Sequence, residues 1–208
     1  VMVFAKWVKA LKPRYILFEN VPWIKGSKYL SYLKKELRQC GYKFDLKVID
    51  AADFGVPQRR KRLILLASKN RKPEIRKPSR IRRVTVREAI GDLPPLKSGE
   101  NHPSIPNHRS MKHSEIVLKR IKAIPKDGGS RLSLPFHLQL RCHLNRNGYS
   151  DVYGRMKWDD VAPTLTSGCT NPSKGRFIHP EQDRAISPRE AARLQTFPDN
   201  FVFYGGFN

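Results

Sequence analysis

Acidic residues are scarce in this 208-residue chain: 18 Asp and Glu stand against 41 Lys and Arg, a formal net charge of +23 with His neutral. Cysteine is scarcer still. Cys40, Cys142 and Cys169 are isolated, with no Cys-x-x-Cys pair, which excludes a disulfide framework and a cysteine-based zinc site. No metal ligand set is expected. No apolar run approaches the roughly 20 residues that cross a bilayer, and the N-terminal stretch lacks the pattern of a secretory leader. A membrane partner is therefore not expected, and an intracellular setting is.

The positive charge points to a polyanionic partner, because Lys and Arg displace counterions from phosphates. A merely solubilising surface would carry both signs. With 39% hydrophobic and 10% aromatic residues the chain has material for a core, and its length suits one or two small domains. Composition alone leaves DNA and RNA, and enzyme and packaging protein, undistinguished. A basic RNA-binding protein is one alternative.

Hydrophobic spacing predicts a helix from Val1 to Leu11, ended by Pro13, and a buried strand over Arg14 to Phe18. Ser27 to Cys40 repeats the helical period, with Gly41 as its C-terminal cap. Phe44, Leu46 and Val48 alternate as a strand, and Arg62 to Ala67 is a continuous apolar one. This order is that of an open α/β sheet. Residues 69–83 hold eight cations against Glu74, with Pro73 and Pro78, and read as a basic linker that also tracks phosphates. Beyond it, Thr85-Val-Arg-Glu88 opens a short helix, and another is expected from about Met111 to Ala123. From Arg141 an irregular, loop-rich β unit is expected. Ser187-Pro-Arg-Glu190 starts a last short helix, which Pro198 stops.

Glu19, at a strand's carboxyl end, could line a binding crevice or simply cap the next turn. Gln58-Arg59-Arg60-Lys61-Arg62 alone could be another basic patch. Together they are specific: Phe18-Glu-Asn-Val21 followed by Gln58-Arg-Arg-Lys-Arg62 resembles the sixth and eighth motifs of the DNA (cytosine-5) methyltransferase family. Thr85 to Pro94 resembles the exit from that family's catalytic domain. Ala162-Pro-Thr-Leu-Thr166 is similar to its recognition region, and Arg184 to Asp199 to its ninth motif.

The resemblance implies an α/β fold: a partial Rossmann-like methyltransferase sheet (1–68), the basic linker (69–83), a smaller loop-rich α+β target-recognition domain (84–200), and a hinge beginning at 201–208. It implies methyl transfer from S-adenosylmethionine to C5 of a cytosine flipped out of double-stranded DNA. The length of 84–181 favours DNA over the family's tRNA-modifying relatives. Glu19 would act at cytosine N3, its pKa raised by burial. Arg62 would donate to O2 and orient Glu19, with Arg60 as a second support. Asn20 and Arg189 are expected to be structural. DNA contacts are expected from Gln58, Arg59, Arg155, Lys157, Thr164, Asn171, Lys174 and Arg176. Methylation as part of restriction-modification is the implied setting, in the cytoplasm at the nucleoid of a prokaryote or in the nucleus of a eukaryote.

The family's Pro-Cys nucleophile and its Phe-x-Gly-x-Gly cofactor loop have no counterpart in the sequence. The expectation is therefore the middle and recognition part of a longer or two-chain enzyme, inactive in isolation. An N-terminal partner subunit could carry the thiol and cofactor loop. A DNA-binding fragment without catalysis is the alternative.

Overall fold

The computed structural model describes residues 1–140, 142 and 151–206. It divides into two compact units, Val1–Phe54 with Arg60–Arg82, and Gly55–Arg59 with Arg83–Asn208. Among the described residues no helix is long and apolar enough to cross a membrane.

The first unit orders α1 (Met2–Leu11), β1 (Tyr15–Asn20), α2 (Lys28–Gln39), β2 (Lys43–Asp50) and β3 (Lys61–Ser68). The Ser27 side chain caps α2 by accepting from Leu30 N at 3.2 Å. At the other end Gly41 takes φ +79°, a left-handed conformation that costs glycine little. Gly41 N donates to Arg38 O, and Tyr42 N to Leu37 O, closing the helix in the Schellman arrangement. The sheet order is β1-β3-β2, with β3 antiparallel to both neighbours. β1 and β2 therefore run the same way, joined through α2, as in an open α/β sheet. The antiparallel centre arises because β2 hairpins back into β3. Asp50 holds that loop: its Oδ1 accepts from Arg60 N at 2.8 Å and Ala52 N at 3.3 Å.

Strand alternation decides which face is covered. Ile16, Phe18, Leu63, Leu65 and Ala67 point one way and pack with Ala5 and Val8 of α1 and Leu30, Leu33 and Leu37 of α2. Tyr15, Leu17 and Glu19 occupy the opposite face and are exposed. Residues 69–82 form neither helix nor strand. Ile75 is buried among them and is tied to the edge strand β2, its N–H donating to Asp45 Oδ2 at 2.8 Å and its carbonyl accepting from Lys47 Nζ at 2.6 Å.

The second unit is mostly loop. Among the described residues its helices with given bounds are α3 (Val86–Ile90), α4 (Glu115–Ala123) and α5 (Pro188–Arg193). α3 and α5 open with capping boxes, Thr85 with Glu88 and Ser187 with Glu190. α4 starts later than its spacing predicts, because His113 is drawn into other bonds: its N–H donates to Ser98 Oγ, and its Nε2 accepts from Ala185 N. α5 ends before Pro198, at a turn where Thr196 has φ +64°. Among the described residues β contacts here are isolated bridges, such as Arg155 with Ile178 and Ile178 with Ala185. Most of the expected irregular stretch at 141–150 lies outside the described residues. Two apolar clusters form the core, one around Val86, Ile90, Met156, Phe177 and Leu194, the other around Ile121, Ile124, Leu134, Tyr153 and Ile178.

Among the described residues three buried histidines are built in as neutral rings. His113 Nε2 accepts a backbone N–H, and His179 Nδ1 accepts from Glu181 N and Gln182 N. His108 bridges Ser187 Oγ and Pro94 O. Burial depresses all three pKa values, that of His179 to about 4 despite Glu190 nearby. Between about pH 6.5 and 4 the unfolded chain thus binds more protons than the folded one, so stability falls as pH falls. Thermal melts of the chain should show a constant midpoint above pH 7 and a steep decline below pH 6.5, His179 alone contributing up to about 3 kcal/mol. His179→Gln should flatten that decline.

Candidate functional site

Glu19 and Arg62 meet because of strand register. Glu19 lies directly opposite Ile64 across the β1–β3 pair, so Arg62, two residues earlier on β3, is its diagonal neighbour on the same face. Arg62 Nε sits 2.8 Å from Glu19 Oε1, and Arg62 Nη1 donates to Lys61 O at 2.8 Å. Among the described residues no further hydrogen bond is made by Arg62 Nη2 or by Glu19 Oε2. Glu19 keeps 53% of its side chain exposed, against 21% for Arg62. The expected burial of Glu19 is therefore not provided by the described residues, which is a correction to the sequence reading.

Arg60 continues the register, Ala51 N donating to its carbonyl, so its side chain belongs to the Arg62 face. It is half-buried and takes no side-chain partner among the described residues. Asn20 folds its own turn, its Oδ1 accepting from Val21 N at 2.8 Å. The short 3-10 turn Pro22–Gly26 follows.

The expected DNA-contacting residues of the second unit divide by burial. Arg155 is fully buried. It donates to the carbonyls of Ile121, Ile124, His179 and Gln182 and pairs with Asp183 at 2.6 Å. It cannot reach a base edge, and the expectation of DNA contact is corrected. Gln58 is corrected on the same ground: 2% exposed, it accepts from Leu165 N and donates to Leu194 O. Arg176 is largely spent, donating to Gly128 O, Gly129 O and Arg155 O and pairing with Asp151. Lys157 and Lys174 are exposed. Arg59 is half exposed and pairs with Asp160 at 3.1 Å. Thr164 is exposed and donates its hydroxyl to Arg59 O at 2.6 Å. Asn171 Oδ1 accepts from Ser173 N and Oγ.

Arg189 is fully buried and donates to Pro106 O, Pro198 O and Phe201 O, tying two loop segments to α5. Sequence reasoning took Glu190 only as part of a helix start and did not pair it with Arg184. Arg184 and Glu190, both buried, form two parallel hydrogen bonds of 2.8 and 2.6 Å, while Glu190 also accepts from Ser187 N at 2.7 Å. Burial pushes the Glu190 carboxyl up, but these bonds and the guanidinium charge outweigh it and hold the pKa below the usual carboxylate value. The available signal was the capping box itself, whose Glu sits six residues after an Arg. Among the described residues no group of His, Cys, Asp and Glu could hold a metal ion.

The fold is that of methyltransferase structures. A protein assigned as a DNA modification methyltransferase encoded within a prophage of E. coli superposes with a TM-score of 0.68 at 24% identity, over 95% of this chain and 63% of its own. The C-5 cytosine-specific DNA methylase profile matches residues 1–206, and the chain belongs to that family. It is 39% identical to the Type II methylase M.HgiDII of Herpetosiphon aurantiacus, over 96% of this chain and 58% of that protein. It is 34% identical to the Type II methyltransferase M1.HphI of Haemophilus parahaemolyticus, over 97% and 52%. The chain thus spans a little over half the length of these relatives.

The buried pair gives a direct stability test. Glu190→Ala leaves Arg184 charged and dry, and should cost about 3–5 kcal/mol. In urea denaturation Glu190→Gln, which keeps the capping oxygen, should lose less.

Proposed function

We propose that this chain is the base-binding and target-recognition part of a DNA (cytosine-5-)-methyltransferase of the restriction-modification type, which moves a methyl group from S-adenosylmethionine to C5 of a flipped cytosine. The observation that carries this reading is the Glu19–Arg62 pair, 2.8 Å apart on one face of the sheet, in a chain of the C-5 cytosine methylase family.

C5 becomes nucleophilic only after a thiolate adds at C6, and that addition builds negative charge around N3 and O2. Arg62 Nη2 donates to O2. Glu19, protonated or sharing a proton, serves N3, and Arg62 Nε fixes its orientation. A flipped base would bury the half-exposed carboxyl and strengthen both contacts. Arg60 is the second support.

We assign the nucleophile to none of the three cysteines. Cys40 caps the end of α2, close to where β2 begins opposite Ser68, and Ser68 in turn faces Tyr15. Glu19 is four residues along β1 from Tyr15, about 13 Å at strand spacing. Cys142 and Cys169 belong to the other unit, and burial pushes the Cys169 thiol up, away from thiolate. No residue is assigned to the cofactor either: the acidic side chain at the end of β1 is already paired, and Gly205 and Gly206 lie outside any strand-to-helix turn. The thiol, and the groups that hold the methyl donor, then belong to the rest of the enzyme, on the same polypeptide or a partner subunit.

Double-stranded DNA is the partner. Arg59, Lys157, Lys174, Asn171 and Thr164 are the residues left for phosphate and base contacts once Arg155 and Gln58 are withdrawn.

Methyl transfer from labelled S-adenosylmethionine to mixed-sequence DNA tests the assignment. The isolated chain should give none. In the longer enzyme that contains it, Glu19→Gln and Arg62→Ala should each lower the single-turnover rate by about 10²–10³-fold. Rates within a few-fold of the parent would contradict the proposal.

A further inference from the structure

The turn that follows Glu19 carries an exposure that the base-binding reading does not use. Trp23 is 91% exposed, an extreme value for a side chain that normally dominates cores and interfaces. It does not sit on a loose loop. Pro22 fixes φ at the start of the 3-10 turn Pro22–Gly26, Ile24 N donates to Val21 O, and Ser27 N donates to Ile24 O. Ile24 itself packs on the core of the unit. The turn therefore has an inner side chain that anchors it and an outer one that it displays.

The surroundings of Trp23 select among occupants. From Asn20 to Lys35 the chain has no acidic residue. Lys25 and Lys28 are exposed, and Lys28 lies over the ring of half-exposed Tyr29 at 5.6 Å. An exposed indole followed within five residues by two exposed lysines repels a basic protein surface, including a second copy of this +23 chain. It suits a nucleotide, whose base stacks while its phosphates meet the cations.

We propose that Pro22–Tyr29 is a stacking platform for an unpaired nucleobase of the DNA strand, with Trp23 as the stacking residue and Lys25 and Lys28 as its phosphate contacts. The proposal rests on the DNA reading above. It goes further in naming a second contact to single-stranded nucleotide beyond the Glu19–Arg62 pair. Extruding a base leaves unstacked faces, and a rigid indole placed three residues after Asn20 offers one of them a replacement.

The test is fluorescence anisotropy of the full chain with two labelled duplexes, one fully paired and one carrying an extrahelical cytosine. Trp23→Ala should weaken binding of the extrahelical duplex by about tenfold or more and affect the paired duplex far less, while Trp23→Phe retains most of the affinity. Lys25→Ala with Lys28→Ala should weaken both and lower the salt dependence by about two phosphate contacts. Binding by the parent chain that Trp23→Ala leaves unchanged overturns the platform and leaves the DNA reading standing. Loss of self-association in Trp23→Ala, with DNA binding intact, also overturns it, by making Trp23 a protein contact. A parent chain that binds neither duplex contradicts both.

Discussion

A carboxylate and a guanidinium placed diagonally across an antiparallel strand pair carry the functional account. Their contact is fixed by register rather than by flexible side chains finding each other: Glu19 faces Ile64, and Arg62 stands two residues earlier on the same face. A slip of one residue would turn Arg62 toward the core side and Leu63 and Leu65 away from it. The apolar alternation that buries Phe18, Leu63 and Leu65 against α1 and α2 therefore also aims the ionic pair. Packing on one face of the sheet sets the chemistry on the other. An exposed ion pair contributes little to stability, so the value of this one lies in the geometry that it offers a ligand.

The second unit solves a different problem. With few ladders and short helices, its carbonyls need donors from elsewhere. Buried arginines, and the half-buried Arg176, supply them. Arg155 serves four carbonyls, Arg189 three, Arg176 three, and Arg184 braces Glu190 while reaching Leu96 O and Ala185 O. A guanidinium has five N–H groups in a fixed fork, so one side chain can staple several loop segments. Part of the large positive charge is thus structural. It should not be read wholesale as a nucleic-acid footprint.

That distinction explains what was legible in the sequence. The helices and strands of the first unit follow from periodicity and caps, because Ser27, Gly41 and the apolar alternation act locally. The α5 start was equally plain in Ser187-Pro-Arg-Glu190. The Glu19 and Arg62 pattern could be read because its spacing resembles a family motif; composition alone would have left two ordinary charged residues. Arg155 and Gln58 could not be read. Their side chains look like DNA readers in one dimension, and their partners lie far away in sequence, at Ile121 to Ile124 and at Leu165 and Leu194. Burial of a charged residue is a tertiary fact, and no local signal announced it. The same holds for the exposure of Trp23, of which the sequence carries no local signal.

A double-mutant cycle tests the central claim most directly. Binding of a duplex with an extrahelical cytosine would be measured for the parent chain, Glu19→Ala, Arg62→Ala and the double variant. Two groups that grip one base through a shared contact should show losses that fail to add by about 1 kcal/mol or more. Independent, additive losses, or no loss at all, would contradict a common cytosine-handling site.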